Sequence, residues 1–413
     1  MNVETLIAPI GELHTLAGKP GARKGEEMQN TSVLRNAAMA IGEGIVQEVG
    51  DAKELLRKWS SVPRIDAADH LITPGFVDPH THLVWGGSRA GEFIRRCRGE
   101  SYQKIAAEGG GILKTMRATR EASVEELTQG ILRRAELMLR KGTTTLEIKA
   151  SYGLSEEGVR KELDAIREAK RTLKQRTVVT FMGAHAFPPE TTREEYIELL
   201  EAKLIPFAAK HRAEPAFNDV FCDEGAFDVR ESERILQAGL RYNLRPKIHS
   251  DEFKVLGGTE LGTRLGAASC DHLLQSGDAQ IEALANSDTI AVVLPGTAFY
   301  LDKPYANARK MIDKGCAVAL GTDFNPGTSM ICDMRFVMGL AVAKMKLTPE
   351  EALTAATVNA AAALEAAVPK LLGTLTPGAP ADFCIWNAGS LEELIYQFAL
   401  PLSPEVYCAG KKV

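Results

Sequence analysis

A chain of 413 residues, 45% hydrophobic and 25% charged, has the make-up of a folded globular protein, long enough for one large domain and a smaller one. Its formal net charge of −5 excludes a strongly basic surface for nucleic acid or membrane. No apolar run approaches the roughly 20 residues of a membrane span, and the start, MNVETLIAPI, shows no secretory leader. The seven cysteines (97, 222, 270, 316, 332, 384, 408) are odd in number and form no C-x-x-C pair, which fits reduced thiols in a cytoplasmic protein and argues against a thiolate zinc site.

In chain order, residues 1–72 read as short strands and turns ("ETLIAPI", "AAMAIGEGIVQEVG", "HLITPG") around a polar loop, "AGKPGARKGEEMQN". Residues 73–367 alternate strand-like runs with helical patterns. The runs are 75–82, 143–150, 177–185, 217–224, 245–252, 268–274, 289–296 and 316–325. Helical patterns such as 123–142 and 155–173 lie between them. Residues 368–413 return to strands and turns. Eight strands alternating with helices predict a (β/α)8 TIM barrel. The two ends of the chain predict one composite β-sandwich domain, 1–72 with 368–413.

Barrel chemistry sits at the C-terminal strand ends. Five of the eight histidines fall there: His80 and His82 on strand 1, His185 on strand 3, His249 on strand 5 and His272 on strand 6, with Asp323 closing strand 8. In an extended strand, residues i and i+2 face the same side, so His80 and His82 can address one ion. Three neutral imidazoles and a carboxylate, His80, His82, His249 and Asp323, suit one zinc or iron ion with a position left for water.

"PGFVDPHTHLVWGGSR", "EIKASYGL", "IHSDE", "DHL" and "GTDFNPGTS" resemble the amidohydrolase superfamily over nearly the whole chain, and within it the imidazolonepropionase family of histidine degradation. The resemblance implies hydrolysis of the cyclic amide of 4-imidazolone-5-propanoate to N-formimidoyl-L-glutamate. It also implies a single zinc or iron ion, a barrel flanked by a β-sandwich, and a homodimer. A binuclear centre is not expected, because strand 4 ends in "VFCDEG" without a bridging lysine. Lys149, at the end of strand 2, is left as a structural or substrate-side cation.

Such a substrate needs a proton shuttle, carbonyl polarisation and a cation for its propionate. Arg89, on the Gly86-Gly87 loop, is the candidate clamp, since a guanidinium grips a carboxylate bidentately; its alternative is an ordinary surface arginine. Tyr152 and His185 are candidates for holding the ring or carboxylate, against a rim aromatic and a core histidine. Glu252, in "HSDE", is a candidate to hold a ring N–H and move protons, its rival being a helix first-turn acid. His272 is expected to orient water or polarise the carbonyl, and Asp323 to join ligation with proton acceptance. Asn325, Gly327 and Thr328 either bind the glutamate-like end or form a plain Pro-Gly turn.

Two departures from the family pattern stand out. Ala150-Ser151 replaces Ser-Gly before Tyr152, which stiffens that turn, and Trp85 narrows the pocket. The competing enzyme reading is a mononuclear deaminase of a cytosine- or guanine-like ring, which has no use for a carboxylate clamp. A non-catalytic barrel is the third, and it would be expected to lack one of the ligands.

Overall fold

The computed structural model describes residues 2–100, 104–105 and 108–413. Two sheets organise them. The first is a seven-stranded mixed sheet in the order β15-β14-β13-β4-β1-β2-β3. It draws β1 (Thr5–His14), β2 (Val33–Gly42), β3 (Ile45–Asp51) and β4 (Arg64–Pro74) from the start of the chain. Its other strands, β13 (Phe383–Trp386), β14 (Glu405–Cys408) and β15 (Lys411–Lys412), come from the end. Successive residues of β1 alternate between two apolar layers, as a strand must: Leu6 and Ala8 pack against Leu55 of helix Ala52–Lys58, while Ile7 packs with Met39, Phe383 and Tyr407.

The second sheet is eight parallel strands in strict sequence order: β5 (Phe76–Asp78), β6 (Thr143–Ala150), β7 (Arg176–Ala184), β8 (Phe217–Cys222), β9 (Arg245–Ser250), β10 (Ser269–His272), β11 (Ile290–Val293) and β12 (Val318–Leu320). All eight expected runs are strands, and the intervening helices make this a (β/α)8 barrel with a small β domain built from both termini. Strand β6, TTTLEIKA, is buried at every residue, as a parallel strand covered on both faces requires. The helix after α-helical Ile112–Glu121 begins at Val124 because Ser123 and Glu126 form a reciprocal capping box; the next, Glu156–Lys170, is capped by Ser155.

Seven of the eight strands end earlier than expected; β6 ends at Ala150 as expected. Strand β5 stops at Asp78 because Pro79 offers no N–H to the ladder. His80 and His82 therefore lie just past the strand, and the period-two argument holds only for its extension. That extension closes the barrel. Between β5 and β12 the ladder is replaced by four contacts. The Asp323 N–H donates to His80 O (3.0 Å), the His82 N–H to Phe324 O (3.1 Å), and the Thr322 N–H (3.2 Å) and hydroxyl (2.6 Å) to the Asp78 carboxylate.

Trp386 ties the small sheet to the barrel. Its ring lies 5.5 Å from that of Phe76 at the start of β5, and its indole N–H donates to Thr73 Oγ1 at 3.0 Å, with the side chain fully buried. Trp386→Ala should lower the unfolding free energy by about 3–5 kcal/mol in a denaturant titration; a change under about 1 kcal/mol would show that the two layers are held together elsewhere.

Candidate active site

Three imidazoles converge beyond the barrel's C-terminal rim. Each is oriented through Nδ1: His80 by Asp271 Oδ2 (2.6 Å), His249 by Asp219 Oδ1 (3.1 Å) and His82 by Ser151 Oγ (2.9 Å). With Nδ1 engaged, Nε2 of each ring is left for other partners. One ring nitrogen from each of the three lies within 4.8 Å of the others. Asp323 Oδ1 stands 3.5 Å from His80 Nε2 and 3.6 Å from His82 Nε2. Ligands about 2.1 Å from one ion are about 3.0–3.5 Å from each other, so these atoms fit a single metal ion. Nε2 of His80 and of His249 is buried with no hydrogen-bond partner, a cost of about 1–3 kcal/mol each that a ligand bond removes. Burial above all, then neighbouring cationic charge, lowers the pKa of His80 and His82 well below the usual histidine range, leaving them neutral as ligation requires.

Asp323 is held by Thr297, whose hydroxyl donates to Oδ2 at 2.6 Å and leaves Oδ1 turned to the histidines. Burial pushes its carboxyl up to about 6. Asp323 (φ 51°) and His272 (φ 80°) both occupy the left-handed backbone region, which non-glycine residues adopt at a cost of about 1–3 kcal/mol and which functional sites retain.

The other candidates gather around this cluster. The His272 ring centre lies 5.1 Å from that of His249, and its Nδ1 is 3.7 Å from Glu252 Oε2. Burial, followed by the charges of Asp323 and Asp223, raises the Glu252 carboxyl well above the usual range and favours its neutral form. Glu252 is in no helix, since the next one starts at Gly258, so the first-turn-acid explanation does not apply. Its place is set by Asp223, whose carboxylate accepts the backbone N–H groups of Glu224 (2.7 Å), Glu252 (2.8 Å), Phe253 (2.9 Å) and Lys254 (3.0 Å). His185, one residue past β7, donates Nδ1–H to Ser151 O (3.0 Å) and stacks on His82 at 5.0 Å. Burial pushes its pKa down to about 3. Tyr152 is buried with its ring 5.3 Å from His185 and 5.9 Å from His82. Glu162 fixes that turn by accepting the N–H groups of Ser151, Tyr152 and Gly153 at 3.2, 2.9 and 2.8 Å.

Arg89 donates Nε–H to Glu92 Oε2 at 2.9 Å, which anchors the side chain at its neck. Its guanidinium reaches Gly327: a Cβ built there would lie 2.2 Å from Arg89 Nη1, so a larger residue would push the guanidinium aside. The 325–328 segment forms a turn. Asn325 Oδ1 accepts the N–H groups of Gly327 and Thr328, both at 2.8 Å, and Asn325 Nδ2 donates to Asp323 O (2.7 Å) and Thr328 Oγ1 (2.9 Å). These groups hydrogen-bond one another. Trp85 is wedged behind the loop, edge-on to Phe324 at 5.4 Å with the Arg134 guanidinium 3.4 Å from its ring centre.

The residues missed from sequence are those that hold the site residues in place: Asp219, Asp271, Ser151, Thr297, Glu162 and Asp223. The available signal was a carboxylate inside an otherwise apolar strand, as in "FNDVF" and "SCDHLL".

The amidohydrolase family pattern matches residues 71–404. An imidazolonepropionase of Symbiobacterium thermophilum is 44% identical over 419 aligned positions, covering 100% of this chain and 97% of its own. One from Geobacillus thermodenitrificans is 42% identical over 97% of this chain and 96% of its own. Among solved structures, an adenosine deaminase from Xanthomonas campestris with bound zinc superposes with TM-score 0.73 at 17% identity, over 99% of this chain and 92% of its own. A guanine deaminase from C. acetobutylicum with bound guanine does so with TM-score 0.73 at 15% identity, over all of both chains. The two structural likenesses establish a shared fold.

Asp223→Ala would orphan the amides it gathers. Hydrogen exchange across 252–254 should speed up about tenfold or more. Unchanged exchange there would mean that the loop is held by other contacts.

Proposed function

Because the chain belongs to the amidohydrolase family and to its imidazolonepropionase branch, we propose that it opens the ring of 4-imidazolone-5-propanoate to give N-formimidoyl-L-glutamate in histidine breakdown. It is a hydrolase of carbon–nitrogen bonds in cyclic amides. The observation that carries the reading is the convergence of three imidazoles and Asp323 on one point, in a chain that matches these relatives from end to end.

His80, His82, His249 and Asp323 would hold one zinc or iron ion in this reading, and its charge would supply the acidification of water that hydrolysis needs near neutral pH. Water adds to the ring carbonyl carbon, the adjacent ring C–N bond breaks, and the carbonyl carbon becomes the new carboxylate. Asp323 takes the proton that the attacking water gives up. His272 donates a hydrogen bond to the carbonyl oxygen as negative charge grows on it. Glu252, held neutral by burial, hydrogen-bonds the ring nitrogen and hands it the proton it needs to leave. Arg89, braced by Glu92, clamps the propionate; Tyr152 and His185 close the other side of the ring. Asn325, Gly327 and Thr328 shape the wall against which Arg89 lies. A cytoplasmic homodimer is part of the same reading. Among the described residues, no helix is long and apolar enough to cross a membrane.

Imidazolone-propionate formed in situ from urocanate should lose its ring absorbance in the presence of the protein. Chelation should abolish the loss, and about one equivalent of zinc or iron per chain should restore it. No turnover with metal-replete protein would refute the assignment.

Arg89→Ala should raise KM for this substrate by about 30-fold or more, since removing one partner of a buried ion pair costs about 2–5 kcal/mol. An analogue lacking the carboxylate should be affected far less. Equal turnover of both compounds by the native protein would remove Arg89 as the clamp.

A further inference from the structure

Five ionisable side chains are buried without exposure in the barrel interior, Glu147, Lys149, Asp219, Lys247 and Asp271, and of these only Asp219 and Asp271 have been given a role above. Lys149 is at their centre. Its Nζ lies 2.7 Å from Asp219 Oδ2, 2.9 Å from Glu147 Oε2 and 3.9 Å from Asp271 Oδ2. Lys247, by contrast, donates to Pro79 O (3.3 Å) and is 3.7 Å from Glu147.

Two of the carboxylates that Lys149 approaches are those that grip the histidines. Asp219 spans between the ammonium and His249 Nδ1, one oxygen for each. Asp271 uses Oδ2 for both the ammonium and His80 Nδ1. One cation on β6 thus reaches, through acids on β8 and β10, ligand residues on β9 and just beyond β5. His82, whose Nδ1 meets a serine hydroxyl, is outside this linkage.

We propose that Lys149 is a positioning residue for the metal centre: it aims Asp219 and Asp271 so that His249 and His80 present their Nε2 atoms to a common ion. The inference rests on the metal site proposed above. The physical basis is that a buried carboxylate stays where its partners put it. With the ammonium gone, the two acids, on strands either side of β9, lose the cation between them, repel and turn away from their imidazoles. Loss of such an outer partner typically costs about 10–100-fold in metal affinity.

The test is zinc affinity of the metal-stripped protein, by chelator competition, together with the visible spectrum of the cobalt-substituted protein. Native protein is compared with Lys149→Met and with Lys149→Met/Glu147→Gln, which removes one charge of each sign and protects folding. A folded variant should bind zinc about 10–100-fold more weakly and shift the cobalt bands. At saturating metal its KM should stay within about threefold of native, since Lys149 does not touch the substrate pocket. Native zinc affinity and an unchanged cobalt spectrum in a folded variant would overturn the proposal. So would failure of both variants to fold, which would make Lys149 a folding determinant only. Native protein that takes up no metal would overturn the metal-site reading itself, and this inference with it.

Discussion

The closure of the barrel between its first and last strands is the constraint on which the site depends. The ladder between β5 and β12 is made by the chain beyond the strands, with the Asp323 N–H on His80 O and the His82 N–H on Phe324 O. Three of the four candidate ligands thus sit in the seam that shuts the cylinder. Their separations of 3.5 and 3.6 Å follow from backbone hydrogen bonds rather than from flexible loops. The left-handed backbone at Asp323 is held against its cost by those same bonds and by the Asp78 carboxylate, which takes both the N–H and the hydroxyl of Thr322.

A second device repeats around the rim. A buried carboxylate from the scaffold collects the backbone N–H groups of a site loop: Glu162 those of 151–153, and Asp223 those of 252–254 together with Glu224. Each uses up donors that an irregular segment would otherwise leave unpaired in the interior. The consequence is positional. Tyr152 and Glu252 ride on loops whose backbones are fixed from behind, and their side chains are left for other work.

The altered turn before Tyr152 has a clear place in this scheme. Ser151 is not merely a stiffer residue at a turn. Its hydroxyl meets His82 Nδ1, its carbonyl accepts from His185 and its N–H is held by Glu162, so one residue joins three parts of the site. Trp85 packs between Phe324 and Arg134. Asn325 Oδ1 accepts the Gly327 N–H, and Gly327 leaves room for the Arg89 guanidinium beside it.

Much of this was legible in the sequence. Eight apolar runs spaced by amphipathic helices determine a barrel, because parallel strands buried on both faces leave few other arrangements. The histidines and Asp323 are legible for the same reason, since polar residues at the ends of apolar runs mark one rim. Strand ends were overestimated, as in 75–82 against Phe76–Asp78, because the pattern does not register where proline ends a ladder. Tertiary structure alone decided which acids serve the histidines. Asp219 is thirty residues from His249, and Asp271 is 191 residues from His80, separations at which only the closed barrel makes them neighbours. It also decided that Lys149 is a structural cation rather than one for substrate. Its sequence context places it at a strand end, but only the packing of β6 against the acids of β8 and β10 turns it inward and buries it.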